Sequence, residues 1–279
     1  MHFRSFIIRL WAYVGMGLVA GVIVFLFGYI FYKGGACISW EFLTQAPAGA
    51  MLGQEGGIFP AITGSLAFTL TAVVIGAVPA IATALWIVFF CHSKRLEEIL
   101  HIVIQCIAGV PSIVLGLFAY SLFVRDLQFG RCILSSGIAL GIMVLPFIEV
   151  RAEKAFRELP QQMIHAVYAL GCTKTHAMLT VVLPACRAEL FPGIILGGCY
   201  AMGATAPMIF TGAVAYASNP TSILKPAMAL PLHLYLLVAQ GTASLGIAYG
   251  TAFVMMAVIL ISNMLVTIYA RRRQRAWKQ

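Results

Sequence analysis

The sequence predicts an all-α membrane protein with six spanning helices. Of its 279 residues, 61% are hydrophobic and only 10% are charged, against about 45–50% and about 25% in an ordinary soluble domain. The charges sit in short breaks between long apolar runs. Together these leave too little polar surface to coat a water-soluble globule, and they exclude a disordered chain. The length fits about six spans of roughly 20 residues with short connections.

The first span is predicted at Leu10–Tyr32, because no charge occurs between Arg9 and Lys33. That run is too long for the apolar core of a signal peptide, and no convincing cleavage site follows it, so the span is read as retained. Residues 1–55 then form the first span and an outer loop. Gly56-Gly57-Ile58-Phe59-Pro60 enters the membrane ahead of a second span, Gly64–Phe90, which Pro79 is expected to kink. The third span, Ile99–Val124, is interrupted at Gly109-Val110-Pro111-Ser112. The fourth is a short one, Ile133–Ile148.

A mixed polar segment, residues 149–187, follows with regularly spaced charges. Pro160 ends one helix there. A second, Gln161–Leu170, closes at Gly171, a residue suited to the position after a helix C-terminus. A third stretch, Thr173–Leu183, is expected to stop or bend at Pro184. The fifth span is predicted at Leu190–Thr211, and residues 213–240, broken by Pro220, Pro226 and Pro231, at an outer loop with a partly inserted helix. Ser244–Ala270 completes a core of residues 56–270, and 271–279 is a basic tail.

Lys and Arg orient this layout. Fourteen lie on one side: Arg4, Arg9, Lys94, Arg95, Arg151, Lys154, Arg157, Lys174, Arg187, Arg271, Arg272, Arg273, Arg275 and Lys278. Four lie on the other: Lys33, Arg125, Arg131 and Lys225. The richer side faces the cytoplasm, with both termini and the 149–187 segment. The net charge of +9 thus reflects topology. It forms no stripe of the kind nucleic acid needs. The tail can touch anionic membrane lipid.

Ala166-Val167-Tyr168-Ala169-Leu170-Gly171, followed by Val181-Val182-Leu183-Pro184, resembles the EAA loop of ABC importer permeases. More narrowly, the chain resembles phosphate-import permeases of the PstA type. The segment Gly56 to Gly64 is similar to the start of that family's second span, Gly109 to Leu117 to its third-span signature, and Gly203-Ala204-Thr205-Ala206-Pro207 to its G-E-T-A-P segment. The matches keep order and spacing from about residue 56 to 212.

The resemblance implies a type I (MetI-like) permease fold and a multi-pass protein of the bacterial inner membrane. It implies a sister permease, two ATPase subunits beneath, and an extracytoplasmic solute-binding protein. ATP would be bound by the ATPases, with no cofactor, catalytic residue or metal in this chain. Residues 161–175 would be the coupling helix, with His165, Ala166, Tyr168, Ala169, Leu170, Gly171 and Lys174 at the contact. Pro111, Ser112, Arg151, Glu153, Tyr200, Thr205 and Pro207 would line the pathway.

The chain departs from the family where the substrate is concerned. Val150 and Tyr200 stand where the family carries Arg, and Ala204 and His165 where it carries Glu. Arg151 is one residue from the first lost Arg, but a helix turns about 100° per residue, so its side chain is expected to face elsewhere. Three readings stay open. The anion site is built from helix N-termini and the hydroxyls of Ser112, Thr205 and Tyr200, or the sister subunit supplies the charge, or the substrate is another small solute.

Other features read as ordinary. The seven cysteines act as small hydrophobes, with a Cys37–Cys132 disulfide on the outer side possible but unsupported. His92, His101, His165, His176 and His233 lack metal-ligand spacing. Glu149 is expected to snorkel to the cytoplasmic interface. Gly193-x-x-x-Gly197 suggests a close helix contact, with the sister permease as a candidate partner. A stand-alone channel or secondary carrier would commonly carry internal repeats, and a membrane enzyme a polar cluster inside the spans; neither is apparent.

Overall fold

Helix α6 (Ile133–Arg157) is the axis around which the chain is arranged. The computed structural model describes the backbone of residues 2–49, 51–241 and 244–276, and side chains throughout these except 2–7 and 271–276. The basic tail's side chains, and Lys278 altogether, lie outside the described residues.

In chain order, α1 (His2–Gly35) is followed by a short α2 (Trp40–Thr44), whose N-terminus is capped by the Ser39 hydroxyl accepting from the Phe42 amide at 3.0 Å. A two-residue hairpin pairs β1 (Pro47–Ala48) antiparallel with β2 (Glu55–Gly56). Helix α3 (Phe59–Phe89) starts with Pro60 in its first turn, where a missing N–H costs nothing. Helix α4 (Lys94–Gly109) and α5 (Ser112–Ala119), which runs on as a wider π-helical segment to Asp126, meet at a 94° bend. After α6 come α7 (Gln161–Ala169), α8 (Lys174–Ala177), α9 (Leu183–Gly203), α10 (Ala206–Thr211), α11 (Leu230–Ala239) and α12 (Leu245–Ala276). Five helical stretches are long and apolar enough to cross a membrane, and the bent α4–α5 pair makes a sixth.

The core is the α3–α6–α9 slab, with Phe68, Leu140, Val144 and Ile148 fully buried. Lipid tails are as apolar as leucine, so packing must come from close backbone approach. Small residues supply it. A Cβ on Gly76 would lie 2.7 Å from the Gly141 carbonyl oxygen, and one on Gly197 2.8 Å from Ile148. Helix α1 stands apart from this slab and touches α12, through Phe31 against Phe253 at 4.7 Å and Tyr29 against Tyr249 at 5.7 Å.

Several boundaries differ from the sequence expectation. The fourth span does not end at Ile148: α6 continues to Arg157, because its polar residues find partners on α4. Glu149 therefore does not snorkel. It is 1% exposed, inside the helix packing. Pro184 does not stop the chain, which is helical from Lys174 to Gly203. A π turn at Met178–Val182, closed by the Leu183 amide on the Met178 carbonyl, absorbs the proline. The fifth span ends at Gly203 rather than Thr211, with α10 a separate segment. Gly193 and Gly197 face Arg151 and Ile148 of α6, so that strip is spent inside the chain rather than on a sister subunit. All seven cysteines are free, with Cys132 buried beside Ser135. Gly171 closes α7 with φ +80°, as expected.

Candidate functional site

Two broken helices meet beside α6. The α4–α5 break falls at Val110-Pro111, where proline holds the backbone extended, and the α9–α10 break at Ala204-Thr205. Helix α5 packs on α10 where Gly116 meets Pro207. Arg131 fixes the far end of α10 by donating to the Ile209 and Ala213 carbonyls at 2.8 and 2.7 Å. The Thr211 hydroxyl lies 2.8 Å from that of Ser136 on α6.

A recess of about 470 Å³ opens at the breaks, lined by Ser112, Met143, Tyr200, Thr205 and their neighbours. An adjoining one of about 400 Å³ is lined by Gln105, Met143, Phe147, Val150, Arg151 and Tyr200 among others. Met143 and Tyr200 border both. Helix α5 begins at the recess with no side-chain cap, so its N-terminal dipole end is presented there.

Contrary to expectation, Arg151 reaches the same recess as Val150 and Tyr200. Side chains on a helix lean back toward its N-terminus, and the long Arg151 side chain runs back one turn. Its guanidinium carbon sits 4.8 Å from the centre of the Phe147 ring. That ring stacks on Tyr200, with centroids 6.2 Å apart and planes 22° from parallel. Gly193 faces the Arg151 stem, and a Cβ added there would lie 3.4 Å from the Arg151 Cβ. Among the described residues no carboxylate pairs with Arg151. Pro111 shapes the first break, and Pro207 is buried under Gly116.

Glu153 lies outside this recess, facing α4. Its Oε2 is 3.0 Å from His101 Nε2, and Arg157 bridges Glu153 and Glu97 at 2.7 and 2.6 Å. Glu97, His101 and Glu153 thus come together across α4 and α6, although the histidines showed no metal-ligand spacing in the sequence. The missed signal was a pair of four-residue spacings, Glu97 to His101 and Glu149 to Glu153, each placing two ligand-type side chains on one helix face.

The loop carrying α7 projects from the slab. Ile164 is buried and anchors it, Tyr168 is half-buried, and His165, Ala166, Ala169, Gly171 and Lys174 are exposed. Leu170, at 84% exposure, is an apolar tip that no described residue covers. Thr173 caps the following turn through its hydroxyl on the His176 amide.

These features define a transport-system membrane component. Residues 80–275 match the family of binding-protein-dependent transport system inner membrane components, and the chain belongs to it. It is 31% identical over 208 residues to the probable phosphate transport system permease protein PstA of Methanocaldococcus jannaschii, covering 74% of this chain and 73% of that one. It is 32% identical over 181 residues to the PstA phosphate permease of Xylella fastidiosa, covering 64% and 62%. Among solved structures, it resembles the permease fold of the MetNI methionine ABC transporter in an inward-facing conformation (TM-score 0.58, 18% identity, 77% of this chain and 94% of that one). A bacterial ABC transporter that imports the acidic polysaccharide alginate matches over 98% of this chain and 99% of that one, with a TM-score of 0.56 and 16% identity.

Proposed function

We propose that this chain is the permease subunit of an ATP-driven importer of inorganic phosphate. The observation that carries the reading is Arg151: a guanidinium with no carboxylate partner among the described residues, held over Phe147 in a recess bordered by Tyr200, beside the adjoining recess where Tyr200 meets Ser112, Thr205 and the start of α5. An oxyanion at membrane depth needs such partners, because a bare charge in hydrocarbon is costly. The two PstA relatives, each named for phosphate transport, support the same substrate.

In this reading the chain contributes no bond-making chemistry. A sister permease completes the pathway, a solute-binding protein delivers phosphate from outside, and two ATPase subunits sit at the cytoplasmic side, with the α7 loop seated in a groove on an ATPase. ATP acts by favouring one arrangement of the spans over another, so substrate meets alternating faces. Arg151 is the cation that replaces the two arginines absent at Val150 and Tyr200.

The test is uptake by the reconstituted complex. Phosphate accumulation should require ATP and the ATPase, and Arg151→Ala should weaken it. Uphill accumulation by this chain alone, or uptake indifferent to Arg151→Ala, would overturn the reading. With a single arginine in the recess, another oxyanion is the competing substrate. Competition by sulfate stronger than by unlabelled phosphate would favour it.

A further inference from the structure

The side-chain cluster between α4 and α6 lies outside the recess and has its own chemistry. Glu97 and His101 stand one turn apart on α4, and Glu149 and Glu153 one turn apart on α6. One donor atom each from Glu97, His101 and Glu153 lies within 4.8 Å of the other two. The 3.0 Å separation of His101 Nε2 from Glu153 Oε2 is a hydrogen bond, and it has to open by only a few tenths of an ångström to reach the edge of about 3.3–3.6 Å of a tetrahedral coordination sphere.

Arg157 does not saturate this cluster. It takes Oε1 of Glu97 and Oε1 of Glu153. Glu149 is the independent observation. It is 1% exposed, and its Oε1 has no hydrogen-bond partner among the described residues. It lies within electrostatic reach of Glu153, His101 and Arg157, so its carboxyl belongs to the cluster. Its side chain meets that of Glu153, and its Oε1 is left over; a buried carboxylate with an unsatisfied oxygen is costly. A second negative charge beside Glu153 makes it more so. With all three carboxyls ionised and His101 neutral, one guanidinium faces three negative charges and the cluster lacks two positive ones.

We propose that Glu97, His101, Glu149 and Glu153 bind one divalent transition-metal cation of the zinc class. Imidazole with carboxylates is a donor set that suits Zn²⁺ and Co²⁺. A dication supplies the missing charge and gives the Glu149 oxygen a partner. The bound ion ties α4 to α6, and through α4 it holds the wall of the recess formed by Ile104, Gln105 and Ala108. The site stands independently of which solute is carried.

The experiment uses the whole transporter complex, purified with chelator, freed of it, and titrated with Co²⁺. The visible bands of low-coordinate Co²⁺ should grow to one equivalent per copy of this chain. His101→Ala should abolish them. Glu149→Gln, which keeps the shape of the side chain, should weaken Co²⁺ binding by roughly tenfold or more, a loss comparable to that on removing an outer partner of a metal site. The ATPase titrated alone supplies the background. Co²⁺ spectra identical in wild type and both variants would overturn the proposal. So would a wild type that takes up no Co²⁺ above background while infrared spectroscopy finds Glu149 simply protonated.

Discussion

Gly116 packs against Pro207 with no space for a side chain. A Cβ there would lie 2.9 Å from the Pro207 Cα and 3.1 Å from the Ala206 carbonyl oxygen. The contact holds the two broken spans together, so Gly116→Val must push α5 away from α10. Overpacking of this kind costs about 1–3 kcal/mol. Phosphate uptake by the reconstituted complex should fall steeply, while Gly116→Ala gives a smaller loss. Equal uptake in all three proteins would mean that this contact has no part in transport.

Arg151 is exposed and lies over one aromatic ring, a contact worth about 0.5–1 kcal/mol. Replacing it with alanine should therefore barely change thermal stability. Loss of a charged hydrogen bond to the anion, about 2 kcal/mol, should raise KM roughly thirtyfold. Because Val150 borders the same recess, moving the charge in Val150→Arg combined with Arg151→Val should recover part of the uptake. Initial rates across a phosphate series check both.

Leu170 should behave in the opposite way. No described residue covers it, so Leu170→Asp should leave the unfolding temperature of the isolated permease unchanged. Burying a leucine at a partner's surface is worth about 1.5–3 kcal/mol, and the ATPase should be lost on co-purification. A crosslink from cysteine at Ala166 or Ala169 to the ATPase, in a background without the native cysteines, measures the same contact. Full retention of the ATPase by the Leu170 variant would argue against the docking assignment.

Thr211 and Ser136 are both fully buried, and their hydroxyls are 2.8 Å apart. Thr211→Val leaves the Ser136 hydroxyl with one partner fewer and should cost about 1–3 kcal/mol. The check is a lower unfolding temperature in detergent, with a smaller drop for Thr211→Ser.

The α4–α5 break was legible from sequence because proline and glycine act locally: Pro111 and Gly109 mark it, and Gly171 marks the end of α7; the α9–α10 break was not, since the fifth span was expected to run on to Thr211. The reach of α6 was not. Glu149, Glu153 and Arg157 look like solvated loop charges in one dimension and become buried or paired only when α4 lies alongside. Pro184 misled for a related reason, since its missing amide is absorbed by a widened turn that no local pattern announces. The position of Arg151 depended on side-chain length, which a count of 100° per residue ignores.

The glycine contacts that lock α3 to α6 have a consequence for how force travels. With Gly76 seated on the Gly141 carbonyl, the two helices interlock like a key in a slot, and neither slides without first unseating. On the proposed docking of the ATPase at α7, a push there would enter α6 through Pro160 and swing this block as a single stiff lever. The compliance of the machine then resides at its perimeter, in the hinge at Val110-Pro111 and in the lone outer helix α1.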